Sequence, residues 1–187
     1  MTERAAFGEL LRARTRDEWR AWLRRNHARA NEIWLVNPKK ATGEPRVAYN
    51  DAVEEALCFG WIDSTNRTLD AGHTAQRFTP RRKGSALSPM NRERVRRLIA
   101  ERRMTKAGLD AIGGAPADTR LRIASDIRDA LRADPVAWRN FRRFPASYRR
   151  IRIGWIEGAR DRPAEFAKRL RYFVSMTAKN KQYGMVR

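Results

Sequence analysis

The sequence feature that most constrains the fold is a pair of β-type runs at residues 59–82 (FGWIDSTNRTLDAGHTAQRFTPRR). The first run, residues 61–63, places aromatic and β-branched side chains directly after a glycine, and the second, residues 74–79, alternates as a half-buried strand does. A polar loop separates the two runs, which predicts a β-hairpin. Because an isolated hairpin is only marginally stable, the rest of the chain must supply the structure that supports it.

Signals before the hairpin predict the elements that cover it. A capping box at residues 15–18 (TRDE) predicts a helix from about Arg16, since the threonine hydroxyl and the glutamate carboxylate satisfy free N–H groups at a helix start. The run EIWLV at residues 32–36 predicts a central strand. Asn50 is predicted to cap a helix that ends at Cys58. The N-terminal part therefore combines helices with a small sheet.

A polar, glycine-containing stretch at residues 113–119 (GGAPADT) resembles a linker, and no strand pattern follows it. Instead, apolar residues recur at helical spacing, as Ile127 and Leu131 do. The sequence therefore predicts an α+β fold, in which a small, mainly antiparallel sheet with packed helices is followed by an all-α C-terminal part. The predicted domains are residues 1–115 and 120–180.

The composition narrows the classes of function. Cys58 is the single cysteine and there are only two histidines, so we expect neither an intramolecular disulfide nor a metal site, and we predict no cofactor. The sequence has no phosphate-binding loop, dinucleotide fingerprint or serine-hydrolase elbow. It also has no long apolar segment, so we expect a cytoplasmic protein without membrane insertion. The patterns do not indicate an oligomeric state.

The formal net charge of +20 attracts anions such as phosphates, nucleic acids and acidic ligands. Arginines scattered over solvated helix faces for solubility or through coding bias explain this total equally well, so local patches are more informative. Residues 81–103 and 139–152 are strongly basic, and the second segment has no acidic residue. Candidates for a nucleic-acid or anion patch are Arg82, Lys83, Arg149, Arg150 and Arg152.

Polar residues on the hairpin form the candidate ligand site. Asp63 follows the first β run and Arg77 lies in the second, so their side chains are cross-strand neighbours if the register allows it. A carboxylate beside a guanidinium orients both groups, in a plain ion pair as well as in a ligand site. Together with Trp61 and Arg81, these residues are the candidate ligand-binding set, and no catalytic residue is assigned.

Motifs spread along the chain resemble those of one protein family. They are WLRRNH at residues 22–27, EIWLVNPKK at 32–40, ALCFGWIDS at 56–64, RFTPRRKGS at 77–85, NRERVRRLI at 91–99 and RMTKAGL at 103–109. Continued more loosely over residues 144–159, they resemble the YdeI/OmpD-associated (OmdA) family, often described as bacteriocin-protection proteins, along nearly the whole chain. Leu87 stands where the family has a tryptophan, and residues 161–168 (DRPAEFAK) lack its Thr-Arg pair.

The resemblance implies a cytoplasmic bacterial protein connected with tolerance of antimicrobial peptides, with an α+β part followed by a helical part. It implies neither a reaction nor catalytic residues. Our leading hypothesis is a protective protein that binds a small or peptidic ligand, anionic or aromatic, in a pocket on the hairpin. The first alternative is a basic nucleic-acid-binding protein. The second is an enzyme acting on a small anionic substrate, with Asp63 as acid/base and Arg77 or Arg81 stabilising charge.

Overall fold

A four-stranded mixed sheet forms the N-terminal part of the computed structural model, which describes residues 7–116 and 120–184. Its strands are Leu10–Leu11 (β1), Ile33–Pro38 (β2), Trp61–Thr68 (β3) and His73–Pro80 (β4). They lie in the order β1-β2-β4-β3, with β1 parallel to β2 and the other neighbouring pairs antiparallel. The predicted hairpin, β3 and β4, and the predicted central strand, β2, are both confirmed.

Along the chain, helices alternate with the strands in the first half and form all the regular structure of the second half in the described ranges. The helices before residue 116 are Arg16–Asn26 (α1), Tyr49–Cys58 (α2), Pro89–Ala100 (α3) and Lys106–Ala111 (α4). Those after residue 120 are Ser125–Arg132 (α5), Pro135–Arg143 (α6), Ala146–Glu157 (α7) and Pro163–Ala178 (α8). No strand follows β4 in the described ranges, which confirms the α+β class with a helical C-terminal part.

The start of α1 shows how the local sequence forms a helix that covers the hairpin. The backbone N–H of Glu18 donates to Thr15 Oγ1 (3.2 Å), and Glu18 Oε2 accepts from the backbone N–H of Arg14 (2.7 Å). The helix then buries Trp19 completely, with its ring centroid 5.2 Å from that of Phe78 on β4. The apolar face of α1 therefore packs against the sheet.

The start of α2 differs from the prediction, whereas its end agrees. The helix begins at Tyr49 without a side-chain cap, and Asn50 lies inside the first turn. The side-chain oxygen of Asn50 accepts a hydrogen bond from Arg94 Nη2 (2.7 Å), so the prediction that Asn50 caps the helix is wrong. The helix ends at Cys58, and Gly60 has a φ of 77°, a left-handed conformation that lets the chain turn sharply into β3.

Internal contacts divide the chain into two compact units. The sheet unit comprises Met1–Ala86 and Arg94–Pro116, and the helical unit comprises Leu87–Glu93 and Ala117–Arg187. The first turn of α3 thus groups with the helical unit, whereas the predicted domain boundary assigns it to the N-terminal part. The helical unit holds this turn closely, because a Cβ added to the glycine at position 154 of α7 would lie 2.8 Å from the proline at position 89.

The helical unit has its own hydrophobic core, which is built from all four of the helices after residue 120. The predicted apolar face of α5 is buried there through Ile127 and Leu131. The other buried members of this core are Phe141, Phe144, Tyr148, Ile153, Ile156 and Phe173. Of the predicted linker at residues 113–119, positions 117–119 lie outside the described residues.

Candidate ligand-binding site

A pocket of about 170 Å³ lies against one face of the sheet. Strand alternation places Thr74, Gln76 and Phe78 on the same face of β4. In the strand register Asn37 on β2 is opposite Thr74, and Asn66 on β3 is opposite Gln76, so both neighbouring strands add an amide to this face. The residues lining the pocket are Asn37, Arg46, Val47, Tyr49, Ala52, Asn66, Thr74, Gln76 and Phe78.

Hydrogen bonds to the main chain hold several polar side chains of the pocket. The amide nitrogen of the buried Gln76 donates to the carbonyl oxygen of Ser64 (3.2 Å), and that of Asn37 donates to the carbonyl oxygen of Leu35 (3.3 Å). Arg46 is exposed, and its Nη1 donates to the carbonyl oxygen of a strand residue at position 38 (2.8 Å). These polar groups are therefore oriented before any ligand arrives, which reduces the entropy lost on binding.

Tyr49 connects the pocket to Asp63, one of the residues predicted from the sequence. The hydroxyl of Tyr49 donates to Asp63 Oδ2 at 2.8 Å, and the residue as a whole is 45% exposed. Burial of the hydroxyl and this hydrogen bond to the carboxylate raise the pKa of Tyr49 to about 12, against the opposing charge of Arg94. Tyr49 therefore stays protonated at neutral pH and acts as a hydrogen-bond donor at the side of the pocket.

The predicted pairing of Asp63 with Arg77 does not occur. The register places Asp63 opposite Phe78, so Asp63 shares the pocket face of the sheet, whereas Arg77 projects from the other face. There, Arg77 forms a two-pronged ion pair with Glu32, with Nε and Nη2 at 2.9 and 2.5 Å from Oε2. The prediction failed because the strand register places Phe78, and not Arg77, opposite Asp63. Consecutive strand residues point to opposite faces, so Arg77 lies on the face away from Asp63.

Trp61 and Arg81 are both buried, and neither lines the pocket. Trp61 is 1% exposed, donates its indole N–H to the carbonyl oxygen of His27 (3.1 Å) and packs edge-on against Trp22. Arg81 Nη2 donates to the carbonyl oxygens of the loop after β4, at positions 85 and 86. Burial lowers the pKa of Arg81, which has no carboxylate partner in the described part of the chain. Both residues support the hairpin from inside the protein.

The pocket residues that sequence reasoning missed come from two sources. Thr74 and Gln76 belong to the alternating run that predicted β4, and this alternation already placed them on one face. Asn37, Arg46 and Tyr49 come from the end of β2 and from the approach to α2, where the sequence shows only a polar turn and a helix start. No local signal connects these segments to the hairpin, because the pairing of β2 with β4 and the hydrogen bond from Tyr49 at the start of α2 to Asp63 are both long-range contacts.

A cluster of ion pairs, which the sequence did not reveal, lies between α1, α2 and the segment after α3. Glu55 is fully buried and accepts hydrogen bonds from Arg16 Nε (2.5 Å), Arg20 Nη1 (2.5 Å) and Arg103 Nη2. Burial raises the pKa of the neighbouring Cys58 thiol to about 11, with a further contribution from the charge of Glu55. Cys58 is therefore a protonated, buried side chain and not an activated nucleophile.

The predicted basic patch on α7 is not a continuous charged surface. Arg150 binds Glu93 through Nε (2.8 Å) and Nη2 (2.6 Å), and Arg152 is only 6% exposed. Arg149 is partly buried, with its guanidinium carbon 5.7 Å from the ring centroid of Phe141. By contrast, the charged candidates at positions 82 and 83, after β4, are both exposed.

The described residues contain neither a metal-binding cluster nor a membrane-spanning helix. Across residues 7–116 and 120–184, no group of three or more histidine, cysteine, aspartate or glutamate side chains is arranged to hold a metal ion. In the same ranges, none of the helices combines the length and apolar character needed to cross a membrane.

Two family models match this chain. Residues 11–111 match a domain of unknown function (DUF8412), and residues 120–180 match the model described as bacteriocin-protection, YdeI or OmpD-associated (OmdA). The motifs from residue 22 to residue 109 thus lie in the first region, and the OmdA match lies in the helical region that follows. No curated protein and no solved structure matches the chain. The chain therefore belongs to the DUF8412 family, and its residues 120–180 are similar to the bacteriocin-protection, YdeI or OmpD-associated (OmdA) domain.

Proposed function

We propose that this protein is a bacteriocin-protection protein that binds a small ligand, or one side chain of a peptide, in the pocket on the sheet. The observation that carries this proposal is the pocket itself, which has polar groups from three strands around an apolar base. Concave sites with a few oriented polar groups are the usual form of small-molecule binding sites. The OmdA match supports the protective role.

The size of the pocket limits what it can bind. A cavity of about 150 Å³ accommodates a benzene-sized molecule, so a volume of about 170 Å³ suits a ligand of roughly ten non-hydrogen atoms or fewer. A whole folded peptide is too large for this space. A single aromatic or acidic side chain, a chain terminus or a small metabolite fits.

The chemistry of the lining favours an anionic group attached to an apolar body. Arg46 is an exposed cation at the pocket, and the hydrogen bond to residue 38 occupies only one of its five N–H donors. Gln76 and Asn66 supply amides on the sheet, while Phe78 and Val47 supply apolar surface. We therefore propose that Arg46 binds the carboxylate or phosphate of the ligand, and that its apolar part packs against Phe78.

A thermal-shift panel of small aromatic acids, acidic metabolites and short peptides that carry the same groups tests the proposal. A ligand present at about 100 times its dissociation constant stabilises the folded state by about 2.7 kcal/mol, which gives a measurable rise in melting temperature. Arg46→Gln and Asn66→Ala should each weaken this shift, because both residues line the pocket at exposed positions. Arg24→Gln, an exposed change on α1 with the same loss of charge, is the control.

Binding that is at least fivefold weaker in Arg46→Gln than in the Arg24→Gln control would support the site. If no member of the panel stabilises the wild-type protein at millimolar concentration, the pocket is not a ligand site of this class. If a ligand binds but the pocket variants and the control respond equally, binding occurs elsewhere on the protein.

A further inference from the structure

We propose that a second surface, formed by four arginines of α5 and α6, binds nucleic acid through its phosphodiester backbone. This arginine face consists of Arg132, Arg139, Arg142 and Arg143, all of them exposed. None of its residues lines the pocket. It contains three arginines of the basic segment 139–152 predicted from the sequence, adds Arg132, and leaves out the candidates at positions 149, 150 and 152. The proposal therefore stands independently of the ligand site on the sheet.

The burial pattern of α6 shows that its three arginines share one side of the helix. Ala137, Asn140 and Phe141 are buried, and Asn140 donates its side-chain N–H to the carbonyl oxygens of Thr177 and Ala178 in α8. Residues three and four apart lie on the same helix face, so the arginines at positions 139, 142 and 143 cluster on the side away from these contacts. Their guanidinium groups are thus presented together to solvent.

The positive charge of the arginine face is not neutralised by carboxylates. In the described ranges, none of its four arginines forms an ion pair. The nearest acidic residue in sequence, Asp134, uses its carboxylate to accept the backbone N–H groups of Val136 (2.9 Å) and Ala137 (3.0 Å) at the start of α6. Asp126 on α5 is paired with Arg160. The cations of this face therefore remain available to an external anion.

A tryptophan holds two of these arginines in place. The guanidinium carbons of Arg132 and Arg142 lie 5.1 and 5.9 Å from the ring centroid of Trp138. The Trp138 ring stacks on Phe141 with an interplanar angle of 19°, which fixes it to the core of the helical unit. Because the ring restricts both side chains, they lose less conformational entropy when they bind than free arginines would.

A nucleic acid fits this surface better than an acidic protein does. Guanidinium groups bind phosphate in a two-pronged manner, and arginine is the preferred side chain for this contact. A phosphodiester chain carries one charge at every nucleotide, which matches a cluster of arginines that form no ion pair within the described ranges. An acidic protein would also be attracted to a positive patch, so competition by an acidic polypeptide distinguishes the two kinds of partner.

Oligonucleotide binding measured by fluorescence anisotropy tests this inference, with single-stranded and duplex DNA and RNA as probes at about 50 mM salt and above. The test variant changes all four arginines of the face to glutamine. The matched control changes Arg12, Arg14, Arg24 and Arg25 to glutamine, which removes the same charge from exposed positions in the sheet unit. Thermal unfolding of both variants checks that they remain folded. Poly-glutamate serves as the competing acidic polypeptide.

We expect the face variant to bind at least tenfold more weakly than the control. For a single strand, the slope of log affinity against log salt concentration should be smaller in magnitude by about 3 in the face variant. The reason is that each phosphate contact contributes about 0.7 to this slope and the variant removes one contact for each arginine. The comparison of single strands with duplexes identifies which form is bound. Equal losses in both variants would mean that only net charge matters and would overturn the proposal. Absence of binding at about 50 mM salt, or competition by poly-glutamate at equal charge concentration, would also overturn it.

Discussion

Each unit of this protein contains a buried charged side chain, and the two charges are compensated in different ways. In the sheet unit, three arginines surround Glu55, a fully buried carboxylate. In the helical unit, Arg152 is 6% exposed and forms no ion pair in the described part of the chain. Its guanidinium carbon lies 5.4, 5.9 and 4.4 Å from the ring centroids of Tyr148, Trp155 and Tyr183.

This difference shows that a buried charge can be compensated either by opposite charges or by aromatic rings, with different consequences. The Glu55 cluster depends on a charge that acid removes, and its hydrogen bonds occupy both carboxylate oxygens. The aromatic cage around Arg152 depends on ring quadrupoles, which do not change with pH. Each arrangement leaves one buried Nε without a partner among the described residues, that of Arg103 and that of Arg152. However, only the Glu55 carboxylate accepts charge-assisted hydrogen bonds, which are stronger than contacts with ring faces. The cage is therefore the weaker arrangement.

The largest effect on stability should come from Glu55→Gln. The substitution keeps the shape of the side chain but leaves three guanidinium groups around an uncharged amide. Because breaking a buried ion pair costs about 3–5 kcal/mol and these arginines are partly exposed to water, we expect a loss of about 3 kcal/mol. Urea denaturation followed by far-ultraviolet circular dichroism measures this loss.

Glu101→Gln provides the matched control for that experiment. Glu101 pairs with Arg97 at 3.0 Å, but both side chains are more than 40% exposed, so its loss should cost less than about 1 kcal/mol. Similar losses for Glu55→Gln and Glu101→Gln would contradict the idea that burial makes the first cluster important.

A smaller effect is expected from Arg152→Ala, which removes the cation from the aromatic cage. Desolvated cation–π contacts are worth about 2 kcal/mol, and we expect a destabilisation of this size in the same urea experiment. Arg152→Met retains most of the apolar stem and separates packing from charge. If the methionine variant is as stable as the wild type, the rings stabilise the side chain through packing alone, and the proposed contrast between the two units fails.

The smallest effect should be a difference in acid sensitivity. Burial alone would raise the pKa of Glu55, but hydrogen bonds from Arg20, Arg16 and Arg103 and the charge of Arg16 outweigh it and lower this pKa. A carboxylate with a lowered pKa stabilises the fold fully above its unfolded value of about 4.3. This contribution is lost as the pH falls through the folded pKa.

Measurement of unfolding free energies from pH 6 down to about pH 3.5 tests this expectation. The curve of Glu55→Gln should fall less steeply below about pH 4.3 than that of the wild type. The curve of Arg152→Ala should run parallel to the wild type, because Arg152 forms no ion pair with any carboxylate of residues 7–116 and 120–184. If the unfolding free energy of Arg152→Ala fell less steeply with decreasing pH than that of the wild type, this expectation would be wrong.

Much of the fold follows from local sequence patterns. The capping box formed the start of α1, the aromatic and β-branched runs formed β2, β3 and β4, and prolines began α3, α6 and α8. Each of these signals acts within a few residues, so neighbouring side chains alone are sufficient to read it. Asn50 was the exception among the predicted caps, because its side-chain oxygen accepts a hydrogen bond from Arg94 of α3.

The candidate site was less predictable than the fold. The sequence pointed to the correct sheet but to the wrong pair of residues. Asp63 accepts a hydrogen bond from Tyr49, and Arg77 forms an ion pair with Glu32, so Asp63 and Arg77 do not pair with each other. Glu32 is distant from Arg77 in sequence, and it becomes a neighbour only because β2 lies beside β4. The basic residues of α7 show the same limit, since partners elsewhere in the helical unit engage Arg150 and Arg152.

The sequence by itself determined where most strands and helices form, the hairpin around which they assemble, and the abundance of positive charge. Only the tertiary structure decided which of these charges are available. It paired or buried Arg20, Arg77 and Arg152, and it left the arginine face on α5 and α6 exposed. The physical reason is that secondary structure depends on adjacent residues, whereas burial and ion pairing depend on which distant segments pack together.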